Sequence, residues 1–176
     1  MKLIDPSLHE ECLKDIVSTA NKYVIFMSPY WCKEGKEYDI KIFDEVFEDA
    51  LRRGVKILLL CKGAQVNYLR DHYTDFYNKY DRRCSVFVLG SKRDFFWDCF
   101  DYLDLQDEGI DFHIKVYMNE NKALITSRNI SGFKTESIDL GVLVSGCKIM
   151  KDLKKFLKDL IIKTDSNYYM QKFLEE

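Results

Sequence analysis

Residues 112–129 read FHIKVYMNENKALITSRN. Apolar and polar side chains alternate through the first half of this stretch, and such alternation is typical of a half-buried strand. A second apolar run follows the Asn119-Glu120-Asn121 segment, whose residue types favour tight turns. The stretch therefore predicts a hairpin, with one strand over 112–118 and the next over Lys122–Thr126.

The polar side chains of this hairpin carry most of the chemistry that the sequence suggests. Residues i and i+2 of a strand share a face, so His113, Lys115 and Tyr117 are expected to point the same way. Ser127 and Asn129 follow the second strand and should lie at the same end of the sheet. Ammonium, hydroxyl and carboxamide groups can hold a phosphate, and an imidazole can be a nucleophile or a proton carrier.

A histidine and a lysine two residues apart are weak evidence by themselves. The pair is equally compatible with the ordinary polar face of a half-exposed strand. The two other histidines, His9 and His72, have no lysine two residues on, and we expect both at the surface.

The rest of the chain surrounds the hairpin with alternating helical and strand patterns. A capping box at Ser7–Glu10 predicts the start of the first helix. Segments with apolar residues at helical spacing alternate with short apolar runs typical of strands, and the last helical segment begins near Met150. This alternation of helices and strands favours parallel strand pairs with helices packed on them. Further strands are predicted over Tyr23–Met27, 55–61, 84–89 and 138–144. No linker or repeat divides the chain, so we expect an α/β fold over residues 1–176 as a single domain, with a mixed sheet.

Composition narrows the class of protein. The 176 residues are 47% hydrophobic and 32% charged, as in soluble globular domains. No apolar run is long enough for a spanning helix, and the first residues do not resemble a secretory signal. The six cysteines form no C-x-x-C pair, so we expect reduced thiols in a cytoplasmic protein, no metal site and no cofactor.

Charge excludes one class of nucleic-acid binder. The net charge of −2 is incompatible with a globally cationic protein, although a local basic groove is still allowed because binding follows the local field. Side chains available for such a groove, each of which could equally be solvated surface, are Lys33, Lys36, Lys41, Arg52, Arg53, Lys62, Arg70, Arg82, Arg83, Lys92, Arg93 and Arg128.

Taken as a whole, the sequence resembles the phospholipase D superfamily, whose signature is H-x-K-x4-D followed by G-S-x-N or T-S-x-N. The matching residues are His113, Lys115 and Thr126-Ser127-Arg128-Asn129. The segments YVIFMSPYW, FEDALRRGVKILLL and DLGVLV also resemble the family, with Asp139 in the position of a family glutamate. Glu120 stands where the family has aspartate, and the segment from Glu120 to Ser127 is one residue short, so we interpret Glu120 as a turn residue.

The resemblance implies both a fold and a mechanism. The fold is a mixed sheet between helical layers. The reaction is metal-independent cleavage of a phosphodiester through a phosphohistidine on His113, with Lys115, Ser127 and Asn129 at the phosphate and Asp139 orienting the His113 ring. Because this chain has one H-x-K motif, the resemblance further implies a symmetric homodimer with one shared site.

The substrate is left open among three interpretations. The first is a nuclease on DNA or RNA, with Tyr30 and Trp31 stacking on a base and Arg128 contacting the substrate, although the aromatic pair could equally pack in the core. The second is a phospholipase or phosphatidyltransferase whose aromatic segment 95–100 (FFWDCF) meets a membrane. The third is an inactive module that binds phosphate or a partner protein.

Overall fold

The computed structural model describes residues 1–31, 38–88, 113–130 and 139–163. The strands are β1 (Lys2–Ile4), β2 (Tyr23–Met27), β3 (Lys56–Cys61), β4 (Cys84–Val88), β5 (Val116–Asn119), β6 (Lys122–Thr126) and β7 (Gly141–Ser145). The helices are α1 (His9–Ser18), α2 (Tyr38–Lys41), α3 (Asp44–Arg52), α4 (Gly63–Lys79) and α5 (Cys147–Lys163), and a 3-10 turn spans Pro6–Leu8. None of the helices in these ranges has the length and apolar character needed to span a bilayer.

The strands form one mixed sheet in the order β1-β7-β6-β5-β2-β3-β4. The pairs β2–β3 and β3–β4 are parallel, and the four other pairs are antiparallel. The parallel strands are joined through helices α3 and α4, as parallel neighbours must be joined by crossovers. The predicted mixed sheet is therefore confirmed.

Helices cover both faces of this sheet because the central strands are apolar on both sides. On one face, Phe26, Phe47 and Tyr73 belong to a core that joins the sheet to α1, α3 and α4. On the other face, Met118 and Leu157 belong to a second core under α5. Burial on both sides explains why the central strands lack clean alternation and read as continuous apolar runs.

Most predicted strands are confirmed, and the differences lie at edges and ends. Strand β5 begins at Val116, so His113 and Lys115 precede it, although Thr126 N still donates to Lys115 O at 3.2 Å. Strand β7 begins at Gly141. The sequence patterns missed β1, a three-residue edge strand paired with β7. The predicted strand starts at 112 and 138 lie outside the described residues.

The start of the first helix also differs from the prediction. Asp5, rather than Ser7, caps this end: its Oδ1 accepts from Ser7 N at 2.9 Å and begins the 3-10 turn. Helix α1 then begins at His9 without a side-chain cap at Leu8. The capping-box prediction was therefore wrong, because proline at position 6 favours the first turn of a helix and moves the cap one residue before it.

The turn of the β5–β6 hairpin is fixed by its own side chains. Asn119 is fully buried, and its Oδ1 accepts from Asn121 N at 2.8 Å and from Lys122 N at 3.0 Å. Its Nδ2 donates to Ile16 O at 2.7 Å, which attaches the turn to α1. Glu120 Oε1 accepts from the backbone N of Asn21 at 2.8 Å, which supports its interpretation as a turn residue.

Candidate active site

One end of the sheet collects the residues that the sequence singles out. The register pairs Met27 with Val116 and Thr126 with Gly141, so β2 and β6 end where β5 and β7 begin. We call this the open end of the hairpin, and the Asn119–Asn121 turn its closed end. His113 and Lys115 lie just before β5 at the open end, and the residues that follow β6 lie beside them.

Lys115 lies in a positive and partly buried environment. Burial lowers the pKa of its ammonium, the charge of Lys62 lowers that pKa further, and the carboxylate of Asp139 partly opposes both effects. A lysine in such a position favours an anion beside it, since an anion restores the charged form. His113, two residues earlier, is exposed to solvent.

Ser127 and Asp139 join the end of β6 to the start of β7. Ser127 Oγ donates to Asp139 Oδ1 at 2.9 Å and accepts from Leu140 N at 3.0 Å, while Ser127 N donates to Leu140 O at 3.0 Å. These three bonds hold the carboxylate of Asp139 at the open end. The predicted orientation of the His113 ring by Asp139 stays a prediction.

Arg128 and Trp31, both predicted to contact substrate, are buried instead. Arg128 is 6% exposed, its Nη1 donates to Pro6 O at 2.9 Å, and its Nε lies 3.6 Å from Asp139 Oδ2. Trp31 is fully buried, and its Nε1 donates to Leu60 O at 3.1 Å. A buried indole cannot stack on a base, so the structure favours core packing for Trp31 and a structural role for Arg128.

Asn129 is half-buried at the open end and presents an unpaired atom. Its buried Oδ1 has no hydrogen-bond partner among the described residues. A buried polar atom without a partner is costly, by about 1–3 kcal/mol, and is uncommon in folded proteins. The unpaired oxygen makes Asn129 a candidate for a ligand contact at the open end.

Tyr30 and Lys62 extend the open end across β2 and β3. Tyr30 is 39% exposed, and its backbone O accepts from Ser28 Oγ at 2.8 Å. Lys62 Nζ lies 3.3 Å from Tyr30 Oη and 4.9 Å from the centre of its ring. Sequence reasoning included Lys62 only among general basic residues. The missed signal was that Lys62 directly follows a buried parallel strand, where α/β proteins commonly bind ligands.

Two other basic residues considered for a groove, Arg53 and Arg83, bond to backbone carbonyl groups elsewhere in the described part of the chain. Arg53 donates to the carbonyl groups of Val17 and Ser18, after which α1 ends. Arg83 Nε donates to Tyr80 O beside the start of β4. Lys33, Lys36, Lys92 and Arg93 lie outside the described residues, as does the aromatic segment 95–100.

His9 lies beneath the open end, and the expectation of a surface histidine was wrong. The side chain is fully buried, and neither ring nitrogen has a hydrogen-bond partner in the described part of the chain. Burial lowers the pKa of His9, and the nearby charge of Arg128 lowers it further. The ring packs against Gly141, where a Cβ would overlap with His9 Nε2, so only glycine fits at the start of β7.

His72 is partly buried, and its Nε2 lies 2.8 Å from Asp44 Oδ1.

Comparison by sequence identifies no relative: no protein-family model matches the chain, and neither does any curated protein. Similarity is found among solved structures, at identities low enough that it concerns the fold alone.

Three solved structures illustrate this similarity. Nuc from Salmonella typhimurium, described as a phospholipase D family member, has 11% identity and a TM-score of 0.55, over 90% of each chain. Phosphatidylserine synthase from Haemophilus influenzae has 13% identity and a TM-score of 0.65, over 99% of this chain and 42% of that one. TrmBL2, an archaeal chromatin protein that binds DNA, has 10% identity and a TM-score of 0.58, over 92% of this chain.

The chain thus spans about half the length of TrmBL2, at 52%, but nearly the whole of Nuc. In this chain, the fold that these structures match is a mixed seven-stranded sheet with helices on both faces. This chain therefore has the fold of the phospholipase D superfamily.

Proposed function

We propose that this chain is a metal-independent phosphodiesterase of the nuclease type, which cleaves DNA or RNA. The proposal is carried by the open end of the hairpin, where an exposed His113 precedes Lys115, an ammonium whose pKa is lowered by burial and by Lys62. An imidazole nucleophile beside a cation suits attack on an anionic phosphodiester, because the cation reduces repulsion and stabilises the added charge.

The reaction proceeds in two displacements at phosphorus. In the first, a ring nitrogen of His113 forms a bond to phosphorus while the bond to the leaving oxygen breaks, and that oxygen takes a proton from a second histidine. In the second, water attacks the phosphohistidine, gives its proton back to the second histidine and releases His113. The side chains of Lys115 and Asn129 hold the non-bridging oxygens, with Ser127 beside them, and Asp139 orients the His113 ring.

The second histidine comes from another copy of the chain. The sequence has one H-x-K motif, so a mechanism that needs two such histidines requires two chains. A two-fold axis beside His113 brings the same group from each copy to one phosphate, and two-fold pairing is the commonest oligomer geometry. The exposed side chains Leu140 and Ile125, 63% and 40% accessible at the open end, support an interface there.

The buried thiols of this chain support a location in the cytoplasm. Cys61 and Cys84 are fully buried free thiols, and burial raises the pKa of Cys84 well above its usual range. Buried protonated thiols act as small apolar side chains and are typical of proteins in a reducing compartment.

One panel of substrates tests the reaction and the polymer together. Labelled single- and double-stranded DNA, RNA and phosphatidylcholine vesicles are each incubated with the protein in EDTA. Cleavage of nucleic acid in EDTA is expected. Release of choline would identify a phospholipase instead, binding without turnover would identify a binding module, and strict dependence on added Mg²⁺ would contradict the mechanism.

A mixed dimer tests the shared site. Wild-type and His113→Ala chains with different tags are co-expressed, and the heterodimer is purified through both tags. A composite site predicts that the heterodimer is as inactive as the double variant. About half of the wild-type rate, or an active monomer by light scattering, would show that each chain works alone.

A further inference from the structure

A cleft of about 430 Å³ lies at the closed end of the hairpin, on the face of the sheet that α5 covers. Its walls come from three parts of the chain, which are the start of β2, the turn between β5 and β6, and the first two turns of α5. Sites for small molecules commonly have volumes of about 300–1,000 Å³, so this cleft is large enough to hold one.

Helix α5 lines the cleft with one of its faces. Cys147, Met150, Lys151 and Lys154 follow the spacing i, i+3, i+4 and i+7, and residues so spaced lie on one face of a helix. Met150 is buried in the core between α5 and the sheet, whereas Lys151 is exposed and Lys154 is partly exposed. The helix therefore brings two lysines to the same wall of the cleft.

The ammonium groups of the cleft have no carboxylate partner in the described part of the chain. Lys14, Lys79 and Lys122, elsewhere on the protein, each form an ion pair with a carboxylate. Among the described residues, Lys22 and Lys151 form no such pair, and Lys154 Nζ contacts only the ring of Tyr23, 5.1 Å from its centroid. Three cations that converge without an anion favour a negatively charged ligand.

Glu120 brings an unpaired carboxylate oxygen to the same cleft. Its Oε1 accepts from Asn21 N at 2.8 Å and from Asn121 Nδ2 at 3.3 Å, which holds the carboxylate in place. Its Oε2 is buried and has no hydrogen-bond partner among the described residues, although Glu120 lines the cleft. Buried polar atoms without partners are uncommon and costly, so Oε2 is a candidate acceptor for a donor on the ligand.

We propose that this cleft binds a small phosphomonoester that carries hydroxyl groups, with its phosphate at the three lysines and a hydroxyl at Glu120. Three positive charges and one negative charge leave a formal charge of +2, close to the opposite of the charge of about −2 on a phosphomonoester. A phosphodiester has a single negative charge and matches less well. Sugar phosphates and nucleotides share this chemistry. The site lies at the opposite end of the hairpin from His113 and takes no part in the proposed cleavage.

Calorimetric titration of the full chain tests the ligand class with four probes, which are ribose 5-phosphate, AMP, adenosine and inorganic phosphate. The two phosphomonoesters should bind more tightly than inorganic phosphate, because only they bring hydroxyl groups, and adenosine should not bind. Tighter binding of AMP than of ribose 5-phosphate would support the site with a nucleotide as its ligand, and equal binding would support it with a sugar phosphate. The ligand class would be overturned if adenosine bound as tightly as AMP, or inorganic phosphate as tightly as ribose 5-phosphate. Absence of binding by all four probes would overturn the site.

Substitutions in the cleft test its residues. Lys151→Ala should weaken the binding of ribose 5-phosphate about tenfold, because it removes a charge-assisted contact, and Lys151→Arg should restore most of the affinity. The matched control is Lys155→Ala, which changes an exposed lysine of the same helix outside the lining and should have little effect. Equal losses in the two alanine variants would indicate a diffuse field around α5 and overturn the site.

Glu120→Gln tests the contact with the hydroxyl group. Glutamine exchanges the acceptor Oε2 for a donor, so ribose 5-phosphate should lose affinity relative to inorganic phosphate. An unchanged ratio of the two affinities would overturn this contact.

Alkylation of Cys147 shows whether the ligand lies in this cleft or at the open end. Cys147 is an exposed free thiol of the lining, whereas Cys12 on α1 lies outside it. Saturating ribose 5-phosphate should slow the reaction of iodoacetamide with Cys147 and not with Cys12, as measured by mass spectrometry of the two peptides. The same protection should persist in Lys115→Ala, which removes a lysine of the open end. Binding without protection of Cys147, or protection that is lost in Lys115→Ala, would overturn the site.

Discussion

The two ends of the β5–β6 hairpin differ in how their asparagine side chains are bonded. At the closed end, Asn119 uses both its oxygen and its nitrogen within the protein. Glu120 Oε1 there accepts from the backbone N of Asn21, while its buried Oε2 has no hydrogen-bond partner among the described residues. At the open end, His113 is exposed, and the buried Oδ1 of Asn129 has no hydrogen-bond partner among the described residues. The comparison assigns the closed end of the hairpin mainly to stability and, under the proposed function, the open end to chemistry.

The separation of the two ends makes this division testable. Strands of four and five residues place the ends about 15 Å apart, far enough for substitutions at each to act independently. Substitutions at the closed end should change the free energy of unfolding and leave turnover per folded molecule intact. Substitutions at the open end should do the reverse.

The largest effect is expected for His113→Ala. A covalent route cannot proceed without its attacking group, so the cleavage rate should fall at least about a thousandfold. Because the side chain is exposed, the free energy of unfolding should change by less than about 0.5 kcal/mol. Initial rates and thermal denaturation of the same preparation measure both quantities.

Lys115→Ala provides the matched variant at the open end. It removes charge from the ground state and the transition state alike, so oligonucleotide binding and turnover should both weaken, whereas His113→Ala should retain binding. If His113→Ala kept substantial turnover, or if it unfolded the protein, the open end would not be specialised for chemistry.

The sequence predicts the central sheet well because burial leaves a local signature. Strands β2, β3 and β6 are apolar runs bounded by polar or turn residues, and the Asn-Glu-Asn turn marks the hairpin. Strand β1 has no such signature, since it has three residues and exposes Leu3 at the edge of the sheet. Its pairing with β7 arises from tertiary contact alone.

The candidate site was predictable in its residue types but not in its arrangement. His113 and Lys115 follow from the motif, whereas the proximity of Lys62 depends on the strand order, which brings β3 within two strands of β5. The burial of His9 depends on the absence of a side chain at Gly141, more than 100 residues later. Neither relation leaves a periodic pattern in the sequence.

The next largest effect is expected for Asn119→Ala, at the closed end. This change removes an acceptor from two backbone amides and a donor from Ile16 O, all near a fully buried side chain. We expect a loss of about 3 kcal/mol in the free energy of unfolding, measured by urea denaturation. The control Asn121→Ala, at an exposed turn position, should cost less than about 0.5 kcal/mol. Loss of turnover without loss of stability in Asn119→Ala would couple the two ends.

Acid should destabilise the protein through His9, which lies beneath the open end. Its pKa in the folded state is lowered by burial and by Arg128, with Asp139 and Asp5 opposing, so the unfolded chain binds the proton more readily. Stability should therefore fall as pH decreases below about 6.5, by at most about 1.4 kcal/mol per pH unit, until the folded pKa is reached.

His9→Leu isolates this contribution to the pH dependence. Urea midpoints of the wild type and of His9→Leu are compared between pH 7.5 and pH 5.5. The slope in this window should be shallower in His9→Leu, and Asn121→Ala at the closed end should keep the wild-type slope. Identical slopes in the wild type and His9→Leu would mean that His9 titrates as it does in the unfolded chain.

The smallest effect is expected for Glu120→Gln, which tests whether the closed end has any share in catalysis. Glutamine keeps the side-chain oxygen that accepts from Asn21 N, so the free energy of unfolding should change by less than about 0.5 kcal/mol. Glu120→Ala removes that acceptor and should cost about 1 kcal/mol of the free energy of unfolding.

Neither variant should alter kcat, because Glu120 lies at the opposite end of the hairpin from His113. A tenfold loss of kcat in Glu120→Gln at unchanged stability would show that the carboxylate charge matters to the reaction. The division between the two ends would then fail, because a group at the closed end would still act on the chemistry through the strands that join them.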